Sequence, residues 1–376
     1  MIYFDNAATT MPSVNAVKKA EKFIKDDFYN PSALYRGGLA CAKEIKDARD
    51  RVLSCLGLNS SRYNVIFTSG GTESDNQAVF CSAKRGSFVT DKGEHAAIYK
   101  SFLKLLERKN DVYFIGLNRD GSVNTEELFD FARRNDVGFV SVVHVNNETG
   151  AVNDVSYIAA ELKKINPSLI FHSDGVQAFG KIPFVFSEDI DLYSVSAHKI
   201  NALKGCGALI KKRSVRLTPL ICGGGQEGDL RSGTENVFGI SVFKNAIEER
   251  YANLKADYER IKTVNSYVRN GLDKDIFTVI SSETASSPYV LSVSAVGLRG
   301  EVLMHALEDK GIIVGNGSAC SSHNRYSRVL EACGYAKNVL DGVVRISFSH
   351  ENTLAEAEKF VRTINETARR LKGIIG

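Results

Sequence analysis

None of the seven cysteines in this 376-residue chain is paired at C-x-x-C spacing, and no histidine pair follows one. That pattern argues against a structural zinc site or a ferredoxin-type cluster. The scatter does not read as the disulfide framework of a secreted protein either. No apolar stretch approaches the ~20 residues that span a bilayer. The opening "MIYFDNAATT" has no basic segment followed by an apolar run, so no signal peptide is expected. Prolines are few, 6 against 31 glycines, which points to tight backbone positions rather than disordered linkers. A net charge of +4 is small for this length and gives no reason to expect nucleic acid or a membrane surface as a partner. There is no internal repeat and no low-complexity tract. The expectation is a soluble, reduced, cytoplasmic protein, and its length suggests two domains.

What is present is an alternation. From about residue 60, short β-rich runs alternate with helical patterns. "NVIFTSGG" (64–71), "GSFVT" (86–90), "DVYFIGL", "VGFVSVVHV", "SLIFHSD", "DLYSVSAHK" and "GALIKK" read as strands. Continuous apolar runs between helices predict strands buried on both faces, hence an α/β fold with a mostly parallel central sheet flanked by helices. After residue 240 the composition shifts to a long, charge-rich amphipathic helical pattern, followed by the strands "YVLSVSAV" and "GIIVGNG". The expected division is a large α/β domain over 13–254 and a smaller α+β domain made of 1–12 and 255–376.

In such sheets ligands gather beyond the carboxyl ends of the strands. Three strand ends carry polar residues suited to chemistry. "SGGTESDN" places glycines before a helix that starts near Thr72, which is either an anion cradle or an ordinary glycine turn with an N-cap. "SDGVQAFGK" places Asp174 at the end of an apolar run, as an N-cap or as a carboxylate awaiting a cation, with Gln177 one turn later. "SAHK" closes a strand with Ser196, His198 and Lys199, and Lys199 is either a snorkelling surface cation or a desolvated Schiff-base lysine. Together the three match what pyridoxal phosphate requires: an anion site, a carboxylate for the ring nitrogen and a lysine for the aldehyde.

These segments resemble the cysteine desulfurases, in the class V aminotransferase group of fold-type I pyridoxal-phosphate enzymes. The resemblance also rests on "YFDNAATT" (3–10), "NPSALYRGG" (30–38), "EHAAI" (94–98), "HVNNETG" (144–150), "GGGQEGDLRSGTEN" (223–236) and "GSACSS" (317–322). It runs the length of the chain, in family order. It implies that Lys199 binds the cofactor aldehyde and acts as base, that Asp174 pairs with the pyridine nitrogen, and that Gln177 bonds the phenolic oxygen. Gly71, Thr72, Ser196 and His198 would hold the phosphate, and Thr234 would reach it across a homodimer interface. His95 would stack on the ring and move protons. Asn147 would contact cofactor and substrate, and Arg345 would anchor the substrate carboxylate. Cys320 would take sulfur from L-cysteine as a persulfide, release alanine and pass the sulfur to an acceptor protein for iron–sulfur cluster, thio-cofactor or tRNA-thiolation pathways. No metal is implied. The small residues around Cys320 suggest a mobile loop from about Ser321 onward.

Four positions depart from the family pattern: Tyr35, Gly228, Asp229 and Ser349. They concern the rim and the partner surface rather than the chemistry. His144 and His172 read as satisfied core histidines, His323 as a solvated loop residue, and Cys333 as a core cysteine in a helix.

Overall fold

The computed structural model describes residues 1–82, 85–316 and 326–375. Cys320, His323 and the loop expected to be mobile lie outside the described residues. Seven strands form the main sheet, in the spatial order Tyr63–Thr68, Gly207–Lys212, Leu192–Ser196, Ile170–Asp174, Val137–Ser141, Ser87–Asp91, Val112–Ile115. The five central and right-hand strands pair in parallel, and Gly207–Lys212 runs antiparallel to both its neighbours. Val137–Ser141, Ile170–Asp174 and Leu192–Ser196 are buried at every position. Runs buried on both faces need helices on both faces, and the alternating helices supply them. The mostly parallel α/β sheet is therefore as the alternation predicts.

A second, three-stranded antiparallel sheet joins Val343–Ser347, Val290–Ala295 and Phe277–Val279. Ile2–Phe4 pairs in parallel with Ile312–Val314. The apolar side chains collect separately. The largest cluster runs from Ala16 to Ile247, whereas another combines Ile2 and Phe4 with residues from Ile261 to Ala368.

The long helical pattern after residue 240 is two helices, Val237–Ala252 and Leu254–Gly271. Asn253 breaks it at φ −128° and ψ 17°. The break has a packing reason: Phe243 and Ile247 belong to the first cluster, and Ile261 and Val264 to the second. One straight helix could not serve both. Among the described residues, no helix is long and apolar enough to cross a membrane.

The N-terminal segment links the two clusters. The Asn6 side-chain amide donates to the Ser347 carbonyl at 3.1 Å, and the Ala7 N–H donates to Ser347 Oγ at 2.9 Å. Three residues later the Thr10 N–H donates to the His198 carbonyl at 3.0 Å. Residues 5–10 thus cross from the smaller sheet to the carboxyl ends of the larger one.

Candidate active site

A cavity of about 590 Å³ opens at those carboxyl ends. Four strand ends meet there. The first leads through Gly70 into the helix Gly71–Cys81, and both Gly71 and Thr72 line the cavity. A Cβ on Gly71 would lie 2.8 Å from Val176 Cγ2, so glycine is what lets this helix start against the neighbouring turn. The helix N-terminus thus borders the cavity, with the helix dipole behind it.

The strand Ser87–Asp91 leads to His95, which caps the helix Ala96–Glu107. Its Nδ1 accepts from the Ala97 N–H at 3.2 Å, so the ring proton sits on Nε2, the nitrogen left for chemistry. Ile170–Asp174 ends in Asp174, 4 % exposed, whose Oδ1 accepts from the Val176 N–H at 2.9 Å. Leu192–Ser196 turns directly into Ala197–Lys199. Lys199 Nζ donates to the carbonyls of Ala7 at 2.6 Å and Ala8 at 2.7 Å. His198 Nδ1 lies 3.1 Å from Thr9 Oγ1.

Burial dominates the electrostatics. It pushes Asp174 above the ordinary carboxylate range, against the pull of His95, the Val176 N–H and Lys199. Burial pushes His95 down, and Lys199 and Arg328 add to this while Asp174 opposes it. His198 is pushed down to about 4 by burial and then by Lys199, Lys181 and Lys204. Histidine is the side chain whose ordinary titration lies closest to pH 7, which suits His95 to proton transfer.

Arg345 enters the same cavity from the strand Val343–Ser347 and is 5 % exposed. Its Nη2 pairs with Asp5 Oδ1 at 2.8 Å and its Nη1 donates to the Asn147 carbonyl at 2.9 Å. Among the described residues the buried Nε has no partner, and each Nη keeps a second N–H beyond the bond named. Asn147, Gln177 and Ser196 also line the cavity.

Thr234 is exposed and is not among the lining residues. The turn before it is unusual: Glu227, Gly228 and Asp229 have φ of 52°, 65° and 66°. Glu227 holds that turn by accepting from Arg49 at 2.6 and 2.7 Å and from the Phe67 N–H at 2.9 Å. Tyr35 is exposed, while Ser349 is buried and its N–H donates to Asn352 Oδ1 at 2.7 Å.

His144 and His172 are satisfied core residues. His144 Nδ1 lies 2.8 Å from the Tyr193 hydroxyl, and His172 lies 3.0 Å from the hydroxyls of both Ser141 and Ser194. Cys333 is buried and burial pushes it up to about 12, an inert thiol.

Several cavity residues were not read from the sequence. Asp75, fully buried on the helix after the glycines, brings a carboxylate oxygen within 4.8 Å of ligand atoms of His95 and Asp174. Glu94 lies beside His95 and accepts from Ser141 Oγ at 2.7 Å. Arg328 donates to the Glu94 carbonyl at 2.5 Å and stacks on Tyr99 at 3.7 Å. A signal existed for two of them: Asp75 and Glu94 are acids inside "TESDN" and "EHAAI", segments otherwise counted for their neighbours.

The side chains fit pyridoxal phosphate. Gly71 and Thr72 border the cavity at a helix N-terminus, where any side chain on Gly71 would press on Val176. Lys199, a buried carboxylate at Asp174 and a neutral histidine at His95 converge on one cavity with the hydroxyls of Thr72 and Ser196. These are the donor types that a phosphate, a pyridine nitrogen and an aldehyde demand.

The comparisons agree with this geometry. The family description Aminotransferase class-V matches residues 2–360. A cysteine desulfurase IscS of Anaeromyxobacter sp. is 35% identical over 383 residues, covering 99% of this chain and 93% of its own. A solved structure titled as a NifS-like protein superposes with a TM-score of 0.89 at 32% identity, covering 97% of this chain and 98% of its own. Another, titled SspA in complex with cysteine, gives a TM-score of 0.79 at 26% identity, with 94% and 100% covered. The chain belongs to the aminotransferase class-V family, within its NifS- and IscS-like group.

Proposed function

We propose that the chain is a pyridoxal-phosphate-dependent cysteine desulfurase that converts L-cysteine and the Cys320 thiol to L-alanine and a Cys320 persulfide. The observation that carries this is the convergence of Lys199, Asp174, His95 and Arg345, from four separate elements, on one cavity. The relatives' names support it.

Each residue has a task that its surroundings suit. Bound pyridoxal phosphate supplies an electron sink for carbanion chemistry at the substrate Cα. Gly71, Thr72, Ser196 and His198 would hold its phosphate, Asp174 its ring nitrogen and Gln177 its phenolic oxygen. Asn147 flanks the cofactor and the substrate. Arg345 takes the substrate carboxylate and so orients Cα and the thiol. Lys199, once released from the Ala7 and Ala8 carbonyls, moves the Cα proton. His95 Nε2 serves the proton on the departing side. The Cys320 sulfur bonds to the substrate sulfur as the carbon–sulfur bond breaks, so no external oxidant or reductant is needed.

The proposal extends to assembly. Exposed Thr234 serves the phosphate of a second copy, making the enzyme a homodimer. The persulfide goes to an acceptor protein feeding cluster or thiolation chemistry. The six described cysteines are all unpaired, which accords with a reducing, cytoplasmic location. The two hydrophobic clusters support a large domain over 13–254 and a smaller one made of 1–12 and 255–376.

The test is product analysis. Purified protein loaded with pyridoxal phosphate and given L-cysteine with a reducing thiol should release alanine and sulfide in equal amounts. Lys199→Ala should release neither. Amino transfer to a keto acid at a comparable rate would favour a transaminase instead.

A further inference from the structure

Lys181 lies in the described core with no role in the chemistry above. It is 4 % exposed, on the turn that follows Asp174. Its Nζ donates to Gln177 Oε1 at 2.7 Å. Gln177 Nε2 donates in turn to the Ala7 carbonyl at 2.9 Å, the carbonyl that also accepts from Lys199. The two residues are four apart, and backbone bonds from Ala178, Phe179, Lys181 and Ile182 wind this turn helically, so their side chains share one face.

A glutamine amide has a donor end and an acceptor end of nearly the same shape, and only its partners decide which way it points. Here both ends are determined. The Ala7 carbonyl only accepts, so Nε2 must face it. Lys181 donates to the other end, so Oε1 must face Lys181. A flipped amide would set oxygen against oxygen at Ala7 and lose the bond that Lys181 now donates. The second N–H on Nε2 is thereby available to the cavity that Gln177 lines.

We infer that Lys181 is a positioning residue that locks the Gln177 amide with its donor end toward the cofactor's phenolic oxygen. This rests on the reading of the cavity as a pyridoxal-phosphate site. Burial first, and then the positive charges of Lys199, Arg250 and Arg345, push Lys181 well below its ordinary range, so a lysine there is costly unless its N–H has a use. The bond to Gln177 is that use.

The experiment is a double-mutant cycle on cofactor binding. Cofactor-free wild type, Lys181→Met, Gln177→Ala and the double variant are titrated with pyridoxal phosphate, and the dissociation constant and the visible band of the bound cofactor are recorded. Lys199→Ala locates the binding. Lys181→Met should weaken binding roughly three- to tenfold, the worth of one hydrogen bond. Its band should move in the direction seen for Gln177→Ala, and it should add less than about twofold once Gln177 is alanine. Wild-type affinity and band in Lys181→Met, or an undiminished effect in the Gln177→Ala background, would overturn the inference. So would a Lys181→Met protein that fails to fold, because Lys181 would then be structural. Pyridoxal phosphate binding that ignores Lys199→Ala would overturn the reading of the site itself, and this inference with it.

Discussion

Arg345 is held by Asp5, 340 residues away in the chain, through a 2.8 Å ion pair at the edge of the cavity. The pair is largely shielded, with the two side chains 6 % and 20 % exposed. It fixes the guanidinium's orientation, while the Nε–H and the second N–H of each Nη remain for a carboxylate in the proposed reaction. Asp5→Ala should therefore raise KM for L-cysteine about tenfold and leave kcat within about threefold, because substrate orientation is lost rather than a group that acts on the reacting bond. Arg345→Lys should be worse, with kcat/KM down about a hundredfold, since an ammonium cannot replace the fork of a guanidinium. Steady-state kinetics on the two variants checks both numbers.

His95 should separate binding from chemistry. Its Nδ1 is committed to capping a helix, which leaves Nε2 for the proposed proton transfer. His95→Ala should lower kcat by ~10²–10⁴. The protein should still bind pyridoxal phosphate through Lys199, seen as retained absorbance after desalting. A variant with a near-wild-type kcat would remove His95 from proton transfer.

Acid should destabilise the fold in part through its buried histidines. Burial pushes His144 down to about 3 from an ordinary 6.5. Between those values the unfolded chain binds the proton and the folded one does not. The stability that neutral His144 contributes is thus whole above pH ~6.5 and falls progressively as the pH drops toward ~3. His144→Asn should show a shallower decline than wild type, by about one proton's worth of slope. Urea unfolding midpoints at pH 7, 6 and 5 measure it. Parallel curves for the two proteins would contradict this.

Much of the site was legible because a polar residue ending an apolar run stands out. Asp174 and Lys199 each close a strand buried on both faces, where a charge needs a reason. Arg345 was reached through the resemblance. Its restraint by Asp5 was not legible, because no local pattern joins positions 5 and 345. Asp75 was hidden for a different reason. Inside a helix, an acid is read by default as facing solvent, and only the packing of Gly71–Cys81 across the strand ends turns it inward. The split at Asn253 was hidden too, since no glycine or proline marks it and the two clusters that force it are tertiary. Lys181 was visible in "VQAFGK" but mute, as its task depends on which way Gln177 points.

In the proposed reaction sulfur passes from L-cysteine to Cys320 under the control of Lys199. Mass spectrometry of the alkylated protein after a brief incubation with sulfur-labelled L-cysteine tests it most directly. One labelled sulfur should appear on the peptide carrying Cys320, with alanine in equal amount and neither product from Lys199→Ala. Label on Cys222 or Cys333 instead, or alanine at the wild-type rate from Cys320→Ala, would contradict it.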